Sequence, residues 1–131
     1  ENGVAQAQLL ISHLAPFAID EIYTSDFTRC VQTVTPLGES RGLAVSKVPS
    51  LNEATFESDP ERSITFANAL KQDERNILIC SHNPVIPTML RGILNTKLKN
   101  KDLIKLEPGD AWLVHRVKGE IVALDYLSIS F

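Results

Sequence analysis

The chain has 131 residues, of which 44% are hydrophobic and 22% are charged. This is about one globular domain, and the composition is too apolar for a disordered protein. The net charge of −3 argues against a surface that binds nucleic-acid polymers. The longest stretch without a charged side chain, residues 76–90, contains two prolines and polar residues, so it is not a transmembrane helix. We therefore expect no membrane and no nucleic acid among the partners.

The two cysteines, Cys30 and Cys80, lie in apolar contexts and do not form a Cys-x-x-Cys pair. This argues against a disulfide scaffold or a zinc site and favours the reducing cytoplasm as the location of the protein. The chain begins with Glu1 rather than with methionine, so we expect it to be part of a longer protein.

The first half of the chain alternates between helical and strand patterns. Ser25 or Asp26 can cap the second helix, and Gly42 stands where a glycine commonly ends one. In chain order, the predicted elements are a helix over 3–15, a strand over 21–24, a helix to about residue 41, a strand over 44–48 and a loop over 49–58.

The second half continues the alternation. The sequence Asp59-Pro60-Glu61 is typical of a helix start, and the apolar run 76–80 is typical of a strand buried on both faces. In chain order, the predicted elements are a helix from 59 to about 72, a strand over 76–80, a helix from 83–84 that ends before 95, a basic polar stretch over 97–105, and a hairpin of strands 112–117 and 121–126.

Strands separated by helices indicate right-handed crossovers and a mostly parallel sheet covered on both faces. The sequence therefore predicts one α/β domain over 1–131, with three layers in the order helix, sheet, helix. The C-terminal antiparallel hairpin is expected to add strands at one edge of the sheet.

Arg29 and His82 are the two unexpected residues at the carboxyl ends of the predicted strands, where ligands collect in such sheets. Arg29 lies in the first turn of its helix, where a cation opposes the helix dipole unless an anion lies in front of it. His82 follows the most apolar strand, and Asn83 is a natural cap for the next helix. The alternatives are an arginine that simply reaches into water and a core histidine satisfied by the backbone.

Taken together, the two residues form a more specific signal. A guanidinium matches two phosphate oxygens at once, and an imidazole close by can share the charge of a phosphoryl group during transfer. The pair lacks an attacking group.

Four segments resemble signature blocks of the histidine phosphatase superfamily, the phosphoglycerate-mutase-like proteins. The resemblance extends to about residue 94 and is greatest to the SixA-like branch, which includes the domain behind a Nudix hydrolase in MutT-type fusion proteins. The segments are Gly3–Ala7, Ile22–Thr33, Leu51–Glu53 and Ile77–Asn83.

The resemblance implies a phosphatase that uses no metal and no cofactor, with a small phosphorylated molecule or a phosphoprotein as substrate. A histidine in an Arg-His-Gly motif attacks phosphorus and becomes phosphohistidine, while a second histidine and two arginines hold the transferring group. On the matching positions, Arg29 would be a phosphate-binding arginine and His82 the second histidine. Glu53 is the candidate acid, although a solvated surface glutamate fits the sequence equally well.

Two departures from the family pattern stand out. Arg-His-Gly does not occur in these 131 residues, so the nucleophile would belong on a strand upstream of Glu1, and this chain alone is not expected to turn over. Asn83 stands where the family usually has glycine, and its side chain would narrow the pocket or donate to the phosphate. The alternative function is a non-catalytic phosphate-binding or interaction module. Neither oligomeric state nor substrate follows from the sequence.

Several other polar residues are interpreted as ordinary surface or packing residues. His13 and His115 have no second ligand at metal spacing, and Trp112 is expected to pack. The lysines favour a solvated face rather than a substrate site; they are Lys97, Lys99, Lys101 and Lys105.

Overall fold

The computed structural model describes residues 2–82, 85–93 and 111–127. The helices are α1 (Asn2–Leu14), α2 (Thr28–Arg41), α3 (Glu53–Ser58), α4 (Pro60–Leu70) and α5 (Val85–Ile93), and Pro49–Leu51 form a 3₁₀ turn. The strands are β1 (Glu21–Thr24), β2 (Val45–Lys47), β3 (Ile77–Cys80), β4 (Ala111–Val117) and β5 (Glu120–Leu127).

The first three strands form a parallel sheet in the order β2-β1-β3. Thr24 is level with Lys47 on one side and with Cys80 on the other, so the three strands end together. The ladder continues one step further, because the Ser25 backbone N–H donates to the Cys80 carbonyl at 3.0 Å. The residues that follow the three strands therefore lie close together at one edge of the sheet.

Helices cover both faces of this sheet, as the sequence predicts. Because side chains alternate along a strand, Ile22 of β1 faces α1 and α2, whereas Tyr23 faces α4 and α5. The buried residues of the first face are Leu10, Leu14, Ile22, Val34 and Leu37. Those of the second are Leu51, Ala67, Val85 and Met89. The three-layer α/β class is confirmed.

The C-terminal hairpin turns at Lys118 and Gly119, both with positive φ, which is the geometry of a tight two-residue turn. Within the described residues, β4 pairs only with β5 and β3 only with β1. The expectation that the hairpin extends the parallel sheet is therefore wrong for this part of the chain. The Arg116 guanidinium instead joins the hairpin to the end of α4 by donating to the carbonyls of Leu70, Asp73 and Arg75.

A cleft of about 870 Å³ separates the outer edge of β3 from the hairpin. Ile77, Leu78 and Ile79 line one side of it, and β4 lines the other. The cleft explains why β3 is half-buried along its whole length rather than buried on both faces, as the apolar run predicts. In the described part of the chain, no helix has the length and apolarity needed to cross a membrane.

Local structure differs from the sequence prediction at two helix starts and one loop. The 49–58 segment contains the 3₁₀ turn and α3, a helix too short for periodicity to indicate. Phe27, not Ser25 or Asp26, precedes α2, and it makes no side-chain cap. Asp59 does precede α4, but without a capping hydrogen bond. Gly42 ends α2 in the left-handed conformation, as expected.

Candidate active site

His82 lies just beyond the carboxyl end of β3 and is 6% exposed. Its Nε2 atom is 3.0 Å from the Ser25 hydroxyl, and Ser25 is itself fully buried at the end of β1. The His82 carbonyl accepts hydrogen bonds from the N–H groups of Val85 and Ile86, so α5 begins directly on this residue. Both the backbone and the ring of His82 are therefore held in place before any ligand binds.

The other ring nitrogen of His82 faces Glu53, the first residue of α3. The Nδ1 atom lies 3.8 Å from Glu53 Oε1, which is an ion-pair distance but too long for a hydrogen bond. The Glu53 carboxylate is 39% exposed. The Nδ1 atom and a solvent-accessible carboxylate thus lie side by side with no direct hydrogen bond between them.

Two hydrogen bonds tie the loop before α3 to the strand exits. The Asn52 side-chain oxygen accepts from the Asp26 backbone N–H at 2.9 Å, and the Ser81 hydroxyl donates to the Leu51 carbonyl at 2.6 Å. These contacts join residues far apart in sequence and fix the start of α3 beside His82. These two hydrogen bonds, and not a hydrogen bond of the Glu53 side chain, hold Glu53 at the site.

Phe27 and Arg29 border the site at the start of α2. The Phe27 ring meets the His82 ring edge-on, with centroids 4.8 Å apart, and Phe27 is 43% exposed. Arg29 is also exposed, and among the described residues none accepts a hydrogen bond from its guanidinium. Within the described residues, an apolar ring in contact with the buried imidazole and a cation without a hydrogen-bond acceptor therefore lie exposed at the start of α2.

The electrostatics of this edge favour an anion. The pKa of the Cys30 thiol falls to about 6, mainly because the Cys80 thiol donates a hydrogen bond to the Cys30 thiolate. A hydrogen bond with the Ser25 hydroxyl and the electrostatic effects of His82 and Arg29 lower this pKa further, against the effect of burial. A negative charge at Cys30 is therefore favoured first by the Cys80 thiol and, to a smaller degree, by His82 and Arg29 at the site.

The first half of the chain, residues 1–65, matches the family model of the histidine phosphatase superfamily, branch 1. The structure is similar to the crystal structure of the alpha-ribazole phosphatase from Shigella flexneri, with a TM-score of 0.75 and 17% sequence identity over 96% of this chain and 81% of that one. Residues 1–65 therefore belong to the histidine phosphatase superfamily.

Two further proteins are similar to the chain, one in its fold and one in its sequence. The mycobacterial glucosyl-3-phosphoglycerate phosphatase has a similar fold, with a TM-score of 0.68 and 16% identity over 100% of this chain and 86% of that one. An 8-oxo-(d)GTP phosphatase from Mycolicibacterium smegmatis is 27% identical over 128 residues, which are 98% of this chain and 40% of the relative. The chain thus spans less than half the length of that curated relative.

The structure brings His82 and Glu53 together and places Arg29 in the adjoining helical turn. Asn83 and the lysine stretch 97–105 lie outside the described residues. His115 is exposed and pairs with Asp125 at 2.8 Å within the hairpin.

Sequence reasoning missed the role of Ser25 as the hydrogen-bond partner of His82, because it treated Ser25 only as a helix cap. The available signal was that Ser25 and His82 each follow a strand end, and parallel strands bring such positions together. Phe27 carried no signal at all.

Proposed function

We propose that this chain is the greater part of a phosphatase domain that hydrolyses small phosphate esters through a phosphohistidine intermediate. The observation that carries the proposal is the fixed His82 imidazole with Arg29 and Glu53 beside it. Phosphoryl transfer is catalysed chiefly by positioning and by preorganised charge, and these three side chains supply both.

In the proposed reaction, Arg29 binds two oxygens of the phosphoryl group and His82 donates from Nδ1 to a third. The Ser25 hydroxyl favours this arrangement, because a hydroxyl that donates to Nε2 keeps the proton of the neutral ring on Nδ1. Glu53 gives its proton to the leaving oxygen, and its partial exposure suits a group that must recover that proton from water. Asn83 would narrow the pocket or donate to the phosphate.

The attacking histidine is proposed to lie on a strand that precedes α1. The topology supports this position: β1 connects to β2 through α2, and α1 packs beside α2 on the same face of the sheet. Because crossovers between parallel strands are right-handed, a strand before α1 would lie on the side of β1 that is away from β2. That side is occupied by β3, so the additional strand would run along the outer edge of β3.

The cleft between β3 and the hairpin suits such a strand. Its walls are the outer edges of β3 and β4, and its apolar lining includes Met89 and Leu90 from α5 and Leu14 from α1. A strand parallel to β3 in this cleft would end beside His82, which is where a nucleophile is needed. Under this proposal, residues 1–131 form a single domain without its first strand.

The substrate class is proposed to be nucleotides or related small phosphate esters. The relative that acts on 8-oxo-(d)GTP supports this class, and the exposed Phe27 ring next to His82 offers a surface on which a planar base can pack. SixA-like membership, fusion behind a Nudix domain and a cytoplasmic location belong to the same proposal.

The test is to trap the covalent intermediate in the full-length protein. The protein is mixed with a radiolabelled phosphomonoester and quenched, and we expect a phosphoenzyme that is labile in acid and stable in alkali. The His82→Ala variant should accumulate far less of it, while His115→Ala, which alters an exposed histidine in the hairpin, should behave as wild type. Hydrolysis without such an intermediate would contradict the mechanism.

The alternative is a phosphate-binding module without catalysis. The observation in its favour is that Arg-His-Gly does not occur in the 131 residues. Metal-independent binding of phosphate or tungstate by the full-length protein, with no hydrolysis and no phosphoenzyme, would establish this alternative. Reading the coding sequence immediately before Glu1 for Arg-His-Gly at the end of an apolar strand gives an independent check.

A further inference from the structure

Cys30 and Cys80 lie together beneath the candidate site, although 50 positions separate them in the sequence. Cys30 belongs to the first turn of α2 and is 5% exposed, and Cys80 is the last residue of β3. Cys80 lies on the face of the sheet that packs against α1 and α2. The Cys30 Sγ atom lies 3.7 Å from the carbonyl oxygen of Ser81, the residue after Cys80, so the Cys30 sulfur lies against the end of β3.

The two thiols differ in acidity in the way that a reactive pair requires. The pKa of the Cys30 thiol is lowered to about 6, chiefly because the Cys80 thiol is its hydrogen-bond partner, so Cys30 is the more acidic of the two. The pKa of Cys80 is raised, chiefly because its proton is held by Cys30 and because it is buried. Cys30 therefore has the acidity expected of an attacking thiol, and Cys80 that of a thiol which resolves the oxidised form.

We propose that Cys30 and Cys80 form a reversible intramolecular disulfide when the protein meets a hydroperoxide. This inference rests on the two thiols and needs none of the hydrolytic steps proposed above.

The Cys30 thiolate attacks one oxygen of hydrogen peroxide, so that an S–O bond forms, the O–O bond breaks, and hydroxide leaves and is protonated to water. The sulfur of Cys80 then attacks the Cys30 sulfenic acid: the S–S bond forms and the S–O bond breaks. The leaving hydroxide takes the Cys80 proton and becomes the second water. Each sulfur has been oxidised by one electron equivalent and the peroxide has been reduced.

A disulfide between Cys30 and Cys80 would affect the candidate site, because both cysteines lie close in sequence to site residues. Arg29 and Cys30 are adjacent in α2, and only Ser81 separates Cys80 from His82. A disulfide brings its sulfurs to about 2.0 Å with a narrow range of dihedral angles, so the first turn of α2 is drawn toward the end of β3. A transient bond of this kind is compatible with a reducing compartment, where dithiol reductants reverse it.

The test treats the folded full-length protein with hydrogen peroxide, blocks the remaining thiols with N-ethylmaleimide, and maps the peptides by mass spectrometry without reduction. We expect a cross-linked peptide pair containing Cys30 and Cys80 that has lost the mass of two hydrogen atoms and that dithiothreitol separates. Recovery of both cysteines as maleimide adducts, after a dose that oxidises free thiols in solution, would overturn the proposal.

Two matched variants make the result specific. In Cys80→Ser, which keeps a hydrogen-bond donor next to Cys30, oxidation should stop at a sulfenic acid that dimedone captures. In Cys30→Ser, Cys80 should remain a free thiol at the same peroxide dose. If Cys80 is oxidised as fast in Cys30→Ser as in the wild type, Cys30 is not the attacking group and the proposal is wrong. A thermal melt of each variant in the reduced form verifies that both are folded.

Discussion

At the amino-terminal edge of the parallel sheet, Arg75 is surrounded by acceptors, whereas at the carboxyl-terminal edge Arg29 faces solvent. The Arg75 guanidinium donates to Asp73 at 2.8 Å, to Glu21 at 2.9 Å and to the Tyr23 hydroxyl at 3.2 Å. These contacts hold the pKa of the Asp73 carboxyl at about 2. The charges of Arg75, Asp73 and Glu21 are thus paired with one another within the protein.

At the carboxyl-terminal edge, the charged groups of the described residues are held close to one another without direct hydrogen bonds between them. His82 is fixed by Ser25 but held 3.8 Å away from Glu53, and the pKa of the Cys30 thiol is lowered to about 6, chiefly by its hydrogen bond with Cys80. Charges that are positioned but not neutralised are what a site for an anion requires. Among the described residues, the edge with paired charges thus maintains the fold, and the edge where Arg29 has no acceptor is the one suited to an anionic ligand.

The largest expected effect comes from removing the imidazole. His82→Ala in the full-length protein should lower turnover on the order of 10³-fold, because a preorganised donor to the transferring phosphoryl group is lost. Steady-state hydrolysis of a phosphomonoester measures this, with His115→Ala as the control. A loss of only a few-fold would place His82 outside the transition state.

Changing the cation should have the next largest effect. Arg29→Ala should lower turnover on the order of 10²-fold, and Arg29→Lys should restore only part of it, since an ammonium group cannot bind two oxygens in one plane. Kinetics of the two variants on one substrate provide the measurement. Full activity in Arg29→Lys would refute the bidentate role.

Removing the hydroxyl that orients the ring should have a smaller effect. Ser25→Ala should lower kcat about tenfold, the equivalent of one hydrogen bond to a functional group, while KM changes little. Ser25→Thr keeps the hydroxyl and should recover most of the loss. If both variants lose the same activity, Ser25 acts through packing and not through its hydrogen bond.

The smallest functional effect is expected at the opposite edge. Arg75→Ala should leave phosphate affinity unchanged, while the pKa of Asp73 rises from about 2 toward its ordinary value of 3.8. Because the folded-state pKa is lowered, this carboxyl stabilises the wild type above its unfolded pKa, and the contribution disappears as the pH falls through about 2. A carboxyl NMR titration reports the pKa. Weaker phosphate binding in Arg75→Ala would contradict the claim that only the carboxyl-terminal edge of the sheet contributes to phosphate binding.

The fold could be predicted largely from sequence because its elements carry strong periodic signals. β1 begins and ends where the pattern places it, and Gly42 ends α2 as expected. The hairpin was predicted, but not its separation from the parallel sheet. Strand neighbours depend on long-range packing that a local pattern does not contain.

The site was predictable only in part, for a related reason. His82 and Arg29 stand out because an imidazole after a buried strand and a cation in a first helical turn both need an explanation. Ser25 and Phe27 become visible only when β1 and β3 are paired, since their partner is His82 on another strand. The contact between the thiols of Cys30 and Cys80 likewise depends on how α2 packs against the sheet.

The most direct test of the central claim is a phosphate titration of the folded full-length protein, followed through the imidazole signals of its histidines by NMR. His82 should shift saturably with inorganic phosphate, and the shift should disappear in Arg29→Ala. His13 and His115 serve as internal references and should respond only to ionic strength. A His82 signal that does not respond, or one that moves in parallel with His115, would contradict the assignment of this edge as a phosphate site.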